Sequence, residues 1–249
     1  MSSVHSELTV AIPTMRRWKG FLEKSLPLYL ANPLIAYVVV CDETGEDAAA
    51  ITASSLAGNP KLSVYVNPQR LGAYHNKRQC IEKAPTDWVA VLDSDNIFPE
   101  EFFEVAMETL EKEQYNPKLV LAAGTNIRLF IKTGQQEERT AHFKGFRITR
   151  KNWNRILEMP AWNFLLNDGN YIVHKSAGAY LAPSYTLAQV QAADAILAAK
   201  QFVDHGCTYF IVPDMRYIHT VHDDSEWLKT DRESTRILNS TDWRIFPEN

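Results

Sequence analysis

Two carboxylates one residue apart close an apolar run. Trp88-Val89-Ala90-Val91-Leu92 leads directly into Asp93-Ser94-Asp95-Asn96. The run is continuously apolar, as a short strand covered on both faces must be. Oxygen donors at this spacing reach one divalent cation directly or through water. Such a set suits Mg²⁺ or Mn²⁺, which keep waters and share substrate phosphates. The C-terminal end of a strand is also where an open α/β sheet places its ligands. Taken alone, Asp, Ser and Asn after a strand equally describe a solvated turn. The surrounding elements must decide between the two.

Upstream, strand and helix patterns alternate. Leu8 to Ile12 reads as a strand stopped by Pro13-Thr14. Arg16 to Leu30 has helical periodicity on Trp18, Phe21, Leu22, Leu26 and Tyr29, with Pro27 expected to bend or break it. Ile35 to Cys41 is a second strand, ending in Asp42. Glu46 to Leu56 is an Ala-rich helix, Leu62 to Val66 a third strand, and Gly72 to Ala84 a third helix closed by Pro85. After the fourth strand, Pro99 opens a helix to about Gln114, with Glu100 and Glu101 in its first turn. Short links between alternating elements predict a parallel sheet with helices on both faces.

Beyond Leu119 the pattern changes. Val120 to Ala123 and Ile127 to Ile131 read as separate strands, followed by a polar loop over Lys132–Arg139. Arg147 to Glu158 turns helical, Tyr171 to Val173 is a short strand, and Val190 to His205 an amphipathic helix. Tyr209 to Val212 is a strand, and Glu226 to Leu238 a closing helix. No repeat, low-complexity tract or linker separates the halves, so residues 1–249 are expected to form one domain, with halves over 8–115 and 116–249.

Composition narrows the classes. The chain has 249 residues, 45% hydrophobic and 22% charged, with net charge −4, which leaves no basic footprint for nucleic acid. A core of this size needs no disulfides, and Cys41, Cys80 and Cys207 read as reduced, buried residues. No apolar run is long enough to span a membrane, and the N-terminus lacks a secretory pattern. A cytoplasmic protein is the expectation.

Four motifs now stand in order: Ile12-Pro13-Thr14 ending the first strand, Val39-Val40-Cys41-Asp42 ending the second, Asn67-Pro68…Leu71-Gly72…Asn76, and Leu92-Asp93-Ser94-Asp95-Asn96. Together they resemble a GT-A glycosyltransferase, most closely the family 2 group, over about residues 8–112. The resemblance implies an α/β fold with a Rossmann-like, mostly parallel sheet. It also implies a nucleotide-diphosphate sugar as donor, UDP-sugar favoured, and a hydroxyl of a glycan or other molecule as acceptor. Pro13, Thr14 and Asp42 would hold the nucleoside. Asp95 would be the direct ligand of Mn²⁺ or Mg²⁺, with Asp93 on the ribose or a metal-bound water and Ser94 between them on the donor side. Asn76 matches the family pattern. Arg70, Lys77 and Arg78 lie near the start of the third helix, where phosphates and helix N-terminal donors would meet.

The resemblance implies that residues 8–115 bind the nucleotide sugar and that 116–249, the acceptor-binding half, supply the rest. Gln191-Ala192-Ala193-Asp194 resembles the family segment whose Asp deprotonates the acceptor, although Ala193 replaces the usual Glu. Asp168, in Asn167-Asp168-Gly169-Asn170, is the alternative base. His222, or His219, would complete the metal shell, as a C-terminal His does in many GT-A enzymes. Trp153, Trp162 and Trp227 could stack on sugars or pack in the core. Other readings fit less well. A haloacid dehalogenase-type phosphatase would need Gly-Thr or Gly-Val where Asn96-Ile97 stands. A nucleotidyltransferase would need glycine in Pro13-Thr14-Met15-Arg16-Arg17. A non-catalytic nucleotide-sugar-binding protein remains open.

Overall fold

The four early strands pair in parallel, and each βα unit returns the chain to the same end of the sheet. The computed structural model describes residues 7–140, 143–159, 162, 169–182, 193–223, 232, 235–237 and 239–246. The elements run β1 (Leu8–Thr14), α1 (Glu23–Ala31), β2 (Ile35–Asp42), α2 (Glu46–Thr52), β3 (Leu62–Val66), α3 (Ala73–Lys83), β4 (Trp88–Val91) and α4 (Glu100–Lys112). They continue with β5 (Leu119–Phe130), β6 (Gln136–Thr140), β7 (Arg147–Ile148), α5 (Trp153–Leu157), β8 (Tyr171–His174), α6 (Asp194–Asp204) and β9 (Thr208–Val221).

The sheet order is β3-β2-β1-β4-β8-β5-β9-β7, with β6 pairing β5. β1 to β4 are mutually parallel, β8 enters antiparallel to both β4 and β5, and β9 is parallel to β5. The expected mostly parallel α/β sheet is what the chain forms. No helix among the described residues is long and apolar enough to cross a membrane.

Side-chain alternation divides the apolar runs between two cores. Ala11, Val39, Val89 and Val91 face one, with Tyr74 and Ile81 of α3 and Ile196 and Phe202 of α6. Val10, Ile12, Val38, Val40 and Ala90 face the other, with Leu26 of α1 and Phe102, Phe103 and Leu110 of α4. Trp153 lies fully buried in the first core, its indole N–H donating to Trp243 O at 2.8 Å, so it packs rather than stacks on a sugar. Trp162 packs partly buried against the same core.

Several boundaries differ from expectation. β1 continues through Pro13, which is tolerated because β4 pairs with β1 only as far as Ala11. Pro27 lies inside α1; the carbonyl it leaves unpartnered is that of Glu23, the first residue, and the irregular backbone falls earlier, at Lys19 and Gly20. The two strands expected over Val120–Ile131 are one, β5, whose pairing with β9 shifts register between Ala123 and Thr125. There Gly124 approaches the backbone so closely that a Cβ would meet Val212 O at 2.5 Å. The polar loop over Lys132–Arg139 instead contains β6, and β9 is fourteen residues long rather than four. Arg147–Glu158 begins as strand, and only Trp153–Leu157 is helical. The closing helix falls largely outside the described residues, as does Trp227.

Candidate active site

The alternation of β4 sets the direction of its first carboxylate. Val89 and Val91 point toward α3 and α6, and Asp93, two residues further on, leans the same way. Its amide donates to Asn170 Oδ1 at 2.8 Å, beside the start of β8. Its Oδ1 lies 2.8 Å from Lys77 Nζ, and Asp194 Oδ2 lies 2.8 Å from the same nitrogen. Lys77 Nζ also donates to Gly169 O at 2.9 Å. All three N–H bonds of the ammonium are therefore used.

Burial alone would push the Lys77 ammonium down, but Asp194 and Asp93 outweigh it and hold its pKa well above the usual lysine value. The surrounding protein pushes the Asp93 carboxyl up. Lys77 opposes that shift, Asp194 and Asp95 add to it, and the net direction is upward. Gly169 is needed for this packing, because a Cβ would collide with Lys77 Nζ and come within 3.1 Å of Asp93 Oδ2.

Asp95 points to a different set of partners. His222 Nε2 lies 3.0 Å from Asp95 Oδ2, and Arg17 Nε 3.4 Å from the same oxygen. An ionised carboxylate only accepts, so the His222 N–H donates. Removal from water would raise the Asp95 carboxyl. The His222 hydrogen bond and the Arg17, His222 and His219 charges prevail, and its pKa is lowered. The His222 ring also packs on Phe21, 4.9 Å between centroids.

Strand β9 fastens this loop. Ile97 and Ile218 exchange amide-to-carbonyl bonds of 2.9 Å each way. The Thr220 hydroxyl donates to Asp95 O, and its amide to Asn96 Oδ1 at 3.2 Å. His219 is opposite Arg128 in the β5–β9 register, and His222 follows the end of β9.

The motif residues upstream are engaged differently from expectation. Thr14 Oγ1 donates to Asp47 Oδ2 at 2.6 Å, and Asp47 also accepts from the amides of Arg17 and Trp18 at 2.7–3.0 Å. Asp42 is fully buried. Its Oδ1 accepts from Thr44 N at 2.9 Å and its Oδ2 from Ala48 N at 2.9 Å, so it orders the turn into α2. Asn76 is likewise internal: its amide donates to Cys41 O at 3.0 Å and its carbonyl accepts from Asn67 Nδ2 at 3.0 Å.

Lys77, expected near the phosphates, spends its donors on Asp93, Asp194 and Gly169. Arg70 stays half exposed, with Nε 3.6 Å from Glu43 Oε2. Pro13 is buried in β1, Ser94 is half-buried in the turn, and Gly72, at φ +80°, is the residue that starts α3. Asp168 lies outside the described residues.

The structure therefore gathers Asp93, Lys77 and Asp194 at one corner and Asp95 with His222 at the next. The sequence reading missed Arg17, Asp47 and Thr220. Arg17 carried one signal, as a cation immediately after the first strand. Asp47 carried none beyond being acidic at a helix start.

The sequence profile of glycosyl transferase family 2 matches residues 9–168, well over half of the 249 residues. The chain belongs to glycosyl transferase family 2. No curated protein matches this family 2 chain by sequence. Among solved structures it is similar to S. aureus TarS residues 1–349 in complex with UDP-GlcNAc: 15% identity, TM-score 0.66, 88% of this chain and 60% of that one. The same TarS piece in complex with UDP gives 16% identity, TM-score 0.63, and coverage of 95% and 66%. GalNAc-T7 with UDP, GalNAc and Mn²⁺ gives 12% identity, TM-score 0.62, and coverage of 93% and 48%. At these identities the likeness establishes the GT-A fold, and the chain spans between about half and two thirds of those chains.

Proposed function

We propose that this family 2 chain transfers a sugar from a nucleoside-diphosphate sugar, a UDP-sugar favoured, to a hydroxyl of a glycan or other acceptor, with inversion. One observation carries the reading. Two acidic corners meet at the C-terminal end of β4, one with basic and imidazole partners and one joined to a carboxylate from the second half. The UDP-GlcNAc and UDP complexes of TarS support the choice of donor.

Asp194 is the acceptor-side base. It opens α6 and is partly exposed, so an acceptor hydroxyl can reach it and give up its proton as the sugar arrives. Arg17 is the diphosphate-side cation. Asp47 fixes its backbone and the guanidinium lies beside Asp95, where negative charge grows as the diphosphate leaves. Thr14 and Asp42 act at one remove, by shaping the loop and turn that border the nucleoside.

Asp95 and His222 fit Mn²⁺ or Mg²⁺ as a two-donor set, one carboxylate and one imidazole, and the Mn²⁺ in the GalNAc-T7 structure supports the choice. Among the described residues no cluster of three or more His, Cys, Asp or Glu could hold a metal, so phosphate oxygens and water would complete the shell. When bound, the ion supplies Lewis-acid neutralisation of the diphosphate.

A thermal-shift panel of nucleotide sugars, with and without Mn²⁺, tests the reading on the wild type and on Asp95→Ala. A donor at 100 times its dissociation constant stabilises by about 2.7 kcal/mol. The expected result is a metal-dependent shift with a UDP-sugar that Asp95→Ala loses. No shift with any nucleotide sugar sinks the proposal, and an unchanged metal dependence in Asp95→Ala sinks the metal assignment.

A further inference from the structure

Lys77 is a buried cation that ties the Asp93 corner to the second half, through Asp194 and Gly169. It sits on the inward face of α3, on the same stripe as Tyr74 and Ile81, yet carries its charge to the sheet's C-terminal end. Its ammonium has three acceptors at 2.8, 2.8 and 2.9 Å, from the turn after β4, from α6 and from the segment before β8. Asp93 and Asp194 have no direct bond to one another among the described residues; the lysine is what they share. Gly169 leaves no room for a methyl between them. Beside the group, the Tyr171 hydroxyl is buried with no hydrogen-bond partner among the described residues. Burial raises its pKa, so it adds no competing charge.

We infer that Lys77 is a positioning residue: it fixes the carboxylate of Asp194 against that of Asp93, so that the acceptor-side base is registered to the donor side. The inference rests on the proposed function above and extends it to a residue that touches neither substrate. A lysine with three short, buried contacts has one available geometry, and the two carboxylates inherit it. Misplacing a reacting group by about 1 Å costs on the order of 100-fold in rate. The consequence should therefore fall on turnover and spare donor affinity.

The test uses UDP release from UDP-GlcNAc with water as acceptor, together with UDP affinity by calorimetry. The variants are Lys77→Met, Gly169→Ala and Asp194→Asn. Lys77→Met is expected to lower kcat by about 100-fold or more while the UDP dissociation constant moves less than about fivefold. Gly169→Ala keeps every charge and displaces the ammonium, so it should show the same split, and it decides the matter if Lys77→Met does not fold. A kcat within about threefold of wild type in the variants that fold overturns the inference. Equal losses in kcat and affinity also overturn it, since a merely structural lysine would move both. Asp194→Asn separates the two layers: full turnover in that variant removes the base from the proposed function itself. No release by the wild type from any UDP-sugar removes both.

Discussion

Two regions at the same end of the sheet use carboxylates in opposite ways. At the ends of β1 and β2, Asp42 and Asp47 are sealed, and their acceptors are filled from within the first half: Thr44 and Ala48 for Asp42, two and six residues on, and Thr14, Arg17 and Trp18 for Asp47, 29 to 33 residues back. At the seam between the halves, the Asp93 carboxylate meets the Lys77 ammonium that Asp194 shares, and the Asp95 carboxylate meets His222, 127 residues away. The first region shapes loops, and the second presents charge. The difference teaches that a motif aspartate is not by that fact a ligand; what fills its oxygens decides. A buried carboxylate whose lone pairs mostly accept bonds from its own chain has little acceptor capacity left for a substrate.

Changes at the first region should act on stability before they act on binding. The largest loss is expected from Asp47→Ala, which strands the Thr14 hydroxyl and two backbone amides. Hydrogen bonds to a charged group are worth at least about 1.5 kcal/mol each, so with three donors stranded urea unfolding should show a loss of about 4–5 kcal/mol or more. Unchanged stability would remove Asp47 from the scaffold.

Asp42→Ala should cost about 2 kcal/mol through its lost turn and helix-start bonds. This variant can break the comparison outright: a tenfold weaker UDP affinity at unchanged stability would return Asp42 to the nucleoside.

At the seam the order reverses. His222→Ala should weaken Mn²⁺ binding, read from the free-ion resonance signal, by about tenfold or more, with little change in unfolding. Equal metal affinity in wild type and variant would leave Asp95 without its imidazole partner in the metal role.

The smallest effect concerns Cys207, at the entry to β9, where burial pushes the thiol up to about 11. Only the thiolate reacts, and a raised pKa keeps it protonated until the pH approaches that value. Alkylation at neutral pH should therefore be negligible in the folded protein. Rapid labelling would mean that the seam opens readily.

The first half was legible because each strand is a short apolar run bounded by turn residues, and each helix has a stop signal. The Asp93–Asp95 loop was legible for the same reason. Lys77 was not. It is the fifth residue of α3, past the first turn, so its backbone is not at the helix N-terminus, and the stripe through Tyr74 and Ile81 turns it inward. Reading residues near a helix start as phosphate-facing ignores that rotation. β9 was underestimated because its far half is polar and partly exposed. Its length follows from pairing with β5 past the Gly124 irregularity, a tertiary fact with no local pattern. Asp42 and Asn76 were recognised by type and place, but their partners are matters of packing that spacing does not encode.

The place of β9 as the last strand along the chain has a kinetic consequence. β1 to β4 and their helices can pair from contacts close in sequence, and such contacts form early. Asp95 acquires Thr220 and His222 only when the last strand docks beside β5. Until then the loop after β4 carries its two carboxylates with neither the imidazole nor the strand that fastens it. During refolding, the amides of Ile97, Ile218 and Thr220 should gain hydrogen-exchange protection after those of β1 and β2. The capacity to bind donor should appear with that last phase, so the chain would acquire its fold before it acquires its chemistry.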